Sequence, residues 1–236
     1  GGTDLLQYAL AASRLDTGGI SSAGARYGNT ENDGYQNSTV TGRLGVTPAK
    51  NSEIDLSLRY TRSKTAADNG GGVGKDEPNR FIKTDELQFR TQGWLSLFNN
   101  LWEQRLGVSL NDLTRSDDND RDAANPNAFQ RSEYHGQTVK VDWQHTIQLH
   151  KTNTLTVGAE TKEENAKSYF FSQSRNDVWK ENFARTTGVY IQDKVNLWDA
   201  WFSTLGVRVD DHSQFGTEAT YRFTSAYLVN QTGTKF

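Results

Sequence analysis

Four acidic side chains within six residues, Asp117, Asp118, Asp120 and Asp122, form the densest run of potential metal ligands in the chain. Hard oxygen donors suit Ca2+, which takes about six to eight of them. The EF-hand template fails, because Ala123 stands where its glycine belongs and Phe129 where its bidentate glutamate belongs. A solvated acidic loop is the competing reading. Asp210 and His212 share one face of a strand end, and Asp118 and Asp120 share another. Those pairs are raw material for a hydrolase that activates water between Asp–His and Asp–Asp. Arg26, Tyr27 and Tyr35 make an aromatic and cationic set suited to a planar or anionic chelate. The run Gly71-Gly-Val-Gly-Lys-Asp76 matches the first six positions of a calcium-binding nonapeptide, but it occurs once and Pro78 takes an apolar position. It also misses a phosphate loop at Asn69 and Asp76. His135, His145 and His150 lack ligand spacing, and His145 falls on an apolar face, as an interfacial residue would.

The elements that must position these residues are strands. Ile54, Leu56, Leu58 and Tyr60 alternate with Asp55, Ser57, Arg59 and Thr61, and Val139, Val141 and Trp143 alternate with Lys140, Asp142 and Gln144. Period two marks a strand with one apolar and one polar face. Similar segments lie near 4–16, 36–47, 84–98, 101–115, 154–170, 183–197, 201–211 and 218–229, which makes ten strands and no helix. Short turns at 48–51, 99–100, 150–153, 198–200 and 230–233 alternate with long polar connections at 17–35, 65–83, 116–136 and 171–182 and a shorter one near 211–217. Strict alternation of this kind predicts an all-β, antiparallel, up-and-down transmembrane β-barrel in the outer membrane. Phe98, Trp102, Trp198, Trp201 and Phe202 crowd the short turns as an interfacial girdle. Apolar faces then meet outer-membrane lipid, and Asp55, Arg59, Glu86, Gln88, Arg90, Lys140 and Asp142 line the lumen. Few of those polar groups are expected to find partners within this chain.

Composition narrows the classes. The 236 residues are 34% hydrophobic and 11% aromatic, too apolar for disorder. The absence of Cys excludes a disulfide scaffold, a thiolate metal site and a Cys nucleophile. A formal charge of −3 argues against nucleic acid as a partner. No apolar run approaches the roughly 18 residues of a membrane helix. The mean hydropathy of −0.78 does not exclude a barrel, whose strands are half polar.

At the first hairpin, Leu10-Ala-Ala-Ser-Arg-Leu-Asp-Thr-Gly-Gly-Ile-Ser-Ser-Ala23 followed by Asn32-Asp-Gly-Tyr-Gln-Asn37 resembles the barrel start of TonB-dependent outer-membrane receptors, in particular their cobalamin and catecholate-siderophore branch. Gly206-Val-Arg-Val-Asp-Asp-His-Ser-Gln-Phe-Gly216 and Thr232-Gly-Thr-Lys-Phe236 resemble later hairpins. The resemblance implies a barrel of about 22 strands, a plug domain inside it and a TonB box. Residues 1–236 are then expected to be about ten strands from the N-terminal part of that barrel, without plug or C-terminal strands, and with Phe236 as a truncation point. The implied partners are outer-membrane lipid, TonB through the missing plug, and a metal-chelate ligand, a ferric siderophore or cobalamin. No enzyme activity is implied, and no cofactor beyond a possible Ca2+ in an extracellular loop. A small ten-stranded outer-membrane hydrolase and a passive porin are the alternatives.

Overall fold

The computed structural model describes residues 1–236 apart from Ser22, Ala23, Asn29, Thr30, Gly70, Gly71, Gly74, Lys75, Ala124 and Asn230. The glycine-rich run at 71–76 therefore lies partly outside the described residues. Ten long strands and a two-residue eleventh form one antiparallel sheet in sequence order. They are β1 (Leu6–Thr17), β2 (Tyr35–Ala49), β3 (Ser52–Ala66), β4 (Phe81–Leu97), β5 (Trp102–Asn119), β6 (Gln130–His150), β7 (Asn153–Ser172), β8 (Asn176–Leu197), β9 (Trp201–His212), β10 (Gly216–Val229) and β11 (Thr234–Lys235). A single 3-10 turn, Ala25–Tyr27, is the one described helical element. Every even-numbered strand leads into a short turn, and the longer connections all lie at the opposite end.

Strand ends are where sequence and structure part. The predicted loop 171–182 shrinks to residues 173–175, and 116–136 shrinks to 120–129. β7 and β8 reach 20 and 22 residues, about twice what a tilted strand needs to cross a bilayer. Where these hairpins project past the lipid, both faces are wet, so the apolar–polar contrast that marks a strand disappears. The same extension moves Tyr35, Asp117 and Asp118 from loops into strands.

The sheet has almost no interior. Ala200, at 8% exposure, is the single buried hydrophobic among the described residues, while Leu10 is 79% exposed and Tyr221 78%. Alternation places the exposed apolar side chains on one face. Along the hydrogen-bonded rung Leu10, Gly42, Leu58, Phe89, Leu110, Val139, Glu163, Arg185, that face changes from apolar residues to an ion pair. A rung that leaves the apolar band in this way is the signature of strands tilted to the membrane normal. The girdle is present at the short turns. Phe98 stacks on Trp102 with centroids 6.2 Å apart, and the Trp102 indole N–H donates to His145 Nδ1 at 3.1 Å. Trp198 and Asp199 take positive φ, as a tight hairpin with type I′ twist requires. Phe202 departs from the girdle, since alternation turns it to the lumenal face beside the outward Trp201.

The lumenal face also differs from expectation, because Asp55, Arg90, Lys140 and Asp142 find charged partners within the chain, while Arg59 and Glu86 form no ion pair among the described residues. Arg43 Nη2 lies 2.7 Å from Asp55, Arg90 lies 3.3 Å from Asp142, and Lys140 lies 2.8 Å from Glu160. Glycines make the longer reaches possible. Arg90 crosses β5 at Gly107 to meet Asp142, and Arg208 crosses β8 at Gly188 to meet Glu160 at 2.5 Å. Tyr190 crosses β7 at Gly158, and its hydroxyl donates to Gln144 Oε1 at 3.0 Å. A Cβ at Gly107 would sit 2.8 Å from both Arg90 and Asp142, and one at Gly158 would overlap the Tyr190 ring. Gly158→Ala is accordingly expected to swing Tyr190 off the wall and cost about 1–3 kcal/mol. Urea unfolding of the whole receptor should show that cost in the wild-type background. Much less should remain beside Tyr190→Ser, which removes the clash.

Candidate functional site

The loop end of the sheet holds the clearest gathering of chemistry. The β1–β2 and β3–β4 connections meet there, joined by Ala66 N–H donating to the Gly34 carbonyl at 2.9 Å. This register brings Glu31 and Asp33 beside Asp68, with one carboxylate oxygen from each within 4.8 Å of the others. Asp76 and Glu77 come from the same β3–β4 connection. The Glu77 backbone N–H donates to Asp68 Oδ1 at 3.1 Å, and its Oε1 accepts from Asn69 at 2.7 Å. Glu77 is only 4% exposed, yet among the described residues its Oε2 has no hydrogen-bond partner, and neither do Glu31 Oε2 and Asp76 Oδ1 as carboxylates. Burial, then the neighbouring Asp76 carboxyl, pushes Glu31 up to about 7. Carboxylate oxygens gathered in this way are relieved by a shared proton, by water or by a cation, and a hard divalent cation fits this donor set.

Around this cluster the loops are tied together. Arg80 grips Asp117 with Nε at 2.9 Å and Nη2 at 2.7 Å, and its Nη1 donates to Asn69 Oδ1 at 2.7 Å. Asn79 donates to Asp122 at 3.2 Å, and Asn125 to the Asp76 carbonyl at 2.8 Å. The acidic run predicted to bind calcium is thus distributed. Asp117 and Asp118 are consecutive strand residues and point to opposite faces. Asp117 is held by Arg80, Asp118 by Lys83 at 3.2 Å, Asp120 by Arg131 at 3.3 Å, and Asp122 by Asn79 and Asn125. Asp122 ties the β5–β6 connection to the β3–β4 connection, and Asp117 ties strand β5 to the same connection. The converging acids sit in two loops some 35 residues apart in sequence, away from the densest acidic run. The hairpin register that sets Tyr35 opposite Thr65 was the available clue.

The predicted ligand set is divided as well. Arg26 lies over the Tyr27 ring at 4.7 Å within the 3-10 turn, whereas Tyr35 opens β2 and accepts from Asn37 at 3.0 Å. The hydrolase pairs do not assemble. Arg208 binds Asp210 through Nε at 2.8 Å and Nη2 at 2.6 Å, and His212 Nδ1 accepts the Gln214 backbone N–H at 3.1 Å. Asp118 meanwhile faces outward against Lys83.

The profile of the TonB-dependent receptor-like β-barrel matches residues 10–235. The chain superimposes on the siderophore receptor PirA from Acinetobacter baumannii with a TM-score of 0.72, at 15% identity, over 96% of this chain and 36% of that one. It superimposes on a form of the ferric enterobactin receptor PfeA from Pseudomonas aeruginosa with a TM-score of 0.71, at 13% identity, over 96% and 37%. The copper transporter OprC gives 0.68 at 12% identity, over 95% and 38%. Identities this low show a shared fold, and the chain spans less than two fifths of those proteins' length. No curated protein sequence matches the chain.

Proposed function

Because the chain belongs to the TonB-dependent receptor β-barrel family, we propose that the whole protein captures a scarce metal chelate at the cell surface and imports it with energy delivered through TonB. This chain contributes about ten wall strands, their apolar faces in outer-membrane lipid and their long connections outside. The observation that carries the reading is the placement of the connections: the three long ones, 18–34, 67–80 and 120–129, all lie at one end of the sheet, and the turns that follow the even-numbered strands all lie at the other. Capture would fall to the loops, with Arg26, Tyr27 and Tyr35 among the groups at that end, and the plug would close the lumen until TonB acts. We also propose that Glu31, Asp33, Asp68, Asp76 and Glu77 hold a divalent cation, Ca2+ by donor type, that fixes the first two long connections against each other.

Uptake in cells carrying the intact gene tests the main proposal. Radio-iron delivered as catecholate or hydroxamate chelates, and labelled cobalamin, should accumulate for one of these ligands only when both the gene and TonB are present. Equal accumulation after TonB deletion would point instead to a passive porin.

A further inference from the structure

On the outward face of β2–β5, the apolar band gives way to cations at the loop end of the wall. Tyr60 marks the border, since it shares a rung with Val40 and Leu87 while its hydroxyl donates to Asp85 at 2.6 Å. A ring among apolar neighbours with its hydroxyl on a polar group is the belt position of a membrane strand. Arg62 and Lys64 follow Tyr60 on the same face, about 7 and 13 Å farther along β3. Strand tilt shortens both rises along the membrane normal, which keeps the two cations within reach of lipid headgroups.

The rung of Lys64 carries a conflict. Lys64 and Lys83 oppose each other directly on β3 and β4, and a cross-strand pair of like charge costs stability. Lys83 reaches Asp118 at 3.2 Å. Lys64 instead lies 3.6 Å from the centroid of the Phe81 ring, and among the described residues it has no carboxylate within ion-pair distance. Arg62 meets Asp85 through Nε at 3.5 Å, and its side chain is 69% exposed. A notch of about 300 Å³ opens beside Lys64, lined by Asp16, Asn32, Gln36 and Phe81 among others. Asp16 is already engaged there, by Arg14 at 3.4 Å and by the Gln36 amide at 3.3 Å. The patch thus offers cationic donors in excess of their partners, on the side of the wall that faces away from the lumen.

We infer that this patch is a docking site for the phosphate of an anionic lipid in the outer leaflet. Lys64 and Lys83 share the phosphate, Arg62 stands beside them, and the acyl chains lie along Val40, Leu58 and Leu87. A phosphate between the two lysines turns their repulsion into a pair of charge-assisted contacts. The surroundings select a lipid as the occupant, because the band that meets hydrocarbon begins at Tyr60, directly beneath the cations. The inference goes beyond the receptor reading and depends only on the placement of the barrel in the outer membrane.

The test uses the full-length receptor in detergent, with bound lipid counted by native mass spectrometry. The probe is lipid A, a disaccharide lipid bearing two phosphates, set against lipid A stripped of phosphate. Lys64→Gln combined with Lys83→Gln should lower affinity for lipid A about tenfold or more and leave affinity for the stripped lipid unchanged. Lys50→Gln combined with Lys151→Gln, at two exposed lysines of the short-turn end, should bind as the wild type does. In vesicles of phosphatidylcholine alone, the Lys64/Lys83 double variant should resist urea at least as well as the wild type, because the repelling pair is gone. Added lipid A should stabilise the wild type and not that variant. Equal affinity of the wild type and the Lys64/Lys83 variant for lipid A would overturn the site, as would equal affinity of the wild type for the two lipids. Displacement of lipid A by millimolar inorganic phosphate would assign the lysines to free phosphate and overturn the lipid. A Lys64/Lys83 variant that fails to fold in phosphatidylcholine would make the pair a structural tie and overturn the site as well. Each of these results leaves chelate uptake, and with it the receptor reading, untouched. A wild-type protein absent from the outer-membrane fraction would sink both.

Discussion

Replacing Val207 with arginine is expected to destabilise the folded barrel by about 2–4 kcal/mol, the cost of a charged side chain on the lipid face near the bilayer midplane. Val207 lies between Ile191 and Tyr221 on one rung, with Val189, Val209 and Ala219 on the next rung of the same face. The rung on the other side holds Leu205, Phe223 and one carboxylate, Asp193, so an arginine that reaches it would lower the cost towards the bottom of that range. Thr156→Arg is the matched control. Thr156 lies on the other face of β7, between Thr146 and Gln192, where a long cation can lie in a wet lumen. Its expected cost is below about 1 kcal/mol. Urea titration of the whole receptor in lipid vesicles measures both, with mobility of unheated samples on gels as a check on assembly. Equal costs at the two positions would mean that the faces are assigned the wrong way or that neither meets lipid. A soluble sandwich, with Val207 in a core, would also suffer from the arginine, but it would remain folded without detergent.

The features legible in the sequence are those governed by local alternation. Ile54 to Tyr60 and Val139 to Trp143 declare both their strands and their faces, because a wall with lipid on one side and water on the other imposes opposite chemistry on successive residues. Short turns and three of the long connections were readable for the same reason, and the resemblance at the first hairpin agrees with the family shown by residues 10–235. Hairpin extensions such as 130–137 and 176–182 were not readable, since strands wet on both faces carry no contrast. Cross-wall contacts were also hidden. That Arg90 reaches Asp142 over Gly107 depends on two registers at once, and one glycine in a strand does not announce what passes over it. The acid cluster failed to show for a related reason. Four aspartates close in sequence are split by the pleat, while Glu31, Asp33 and Asp68 are joined only by the β2–β3 hairpin that returns one long loop to the other.

That cluster carries the second large expectation. In the detergent-solubilised receptor, removal of divalent cations by a chelator should open the β1–β2 and β3–β4 connections to protease, and Ca2+ should close them again. Luminescence from Tb3+ supplies a readout independent of transport. Sites of this hard-oxygen type outside the cell commonly bind with dissociation constants of about 0.1–1 mM. Asp68→Asn is expected to weaken binding about tenfold or more, because Asp68 shares the ligand group with Glu31 and Asp33 and also receives the Glu77 N–H. The pH dependence has a definite sign. Glu31 titrates near 7 in the cation-free protein, well above the ordinary 4.5, so the folded loops hold an extra proton between those values. Without a cation, their stability falls as pH rises through that window. A cation must displace the same proton, so its affinity should grow as pH rises through about 7 and should be greater at pH 8 than at pH 6. Asp117→Asn separates this site from the acidic run in β5. It breaks the Arg80 clamp and should loosen the β3–β4 connection, but it should leave Tb3+ luminescence largely in place. If instead Asp68→Asn is silent and Asp117→Asn removes the signal, the cation belongs with Asp117, Asp118, Asp120 and Asp122, and Glu31 and Asp76 are held together by a proton alone.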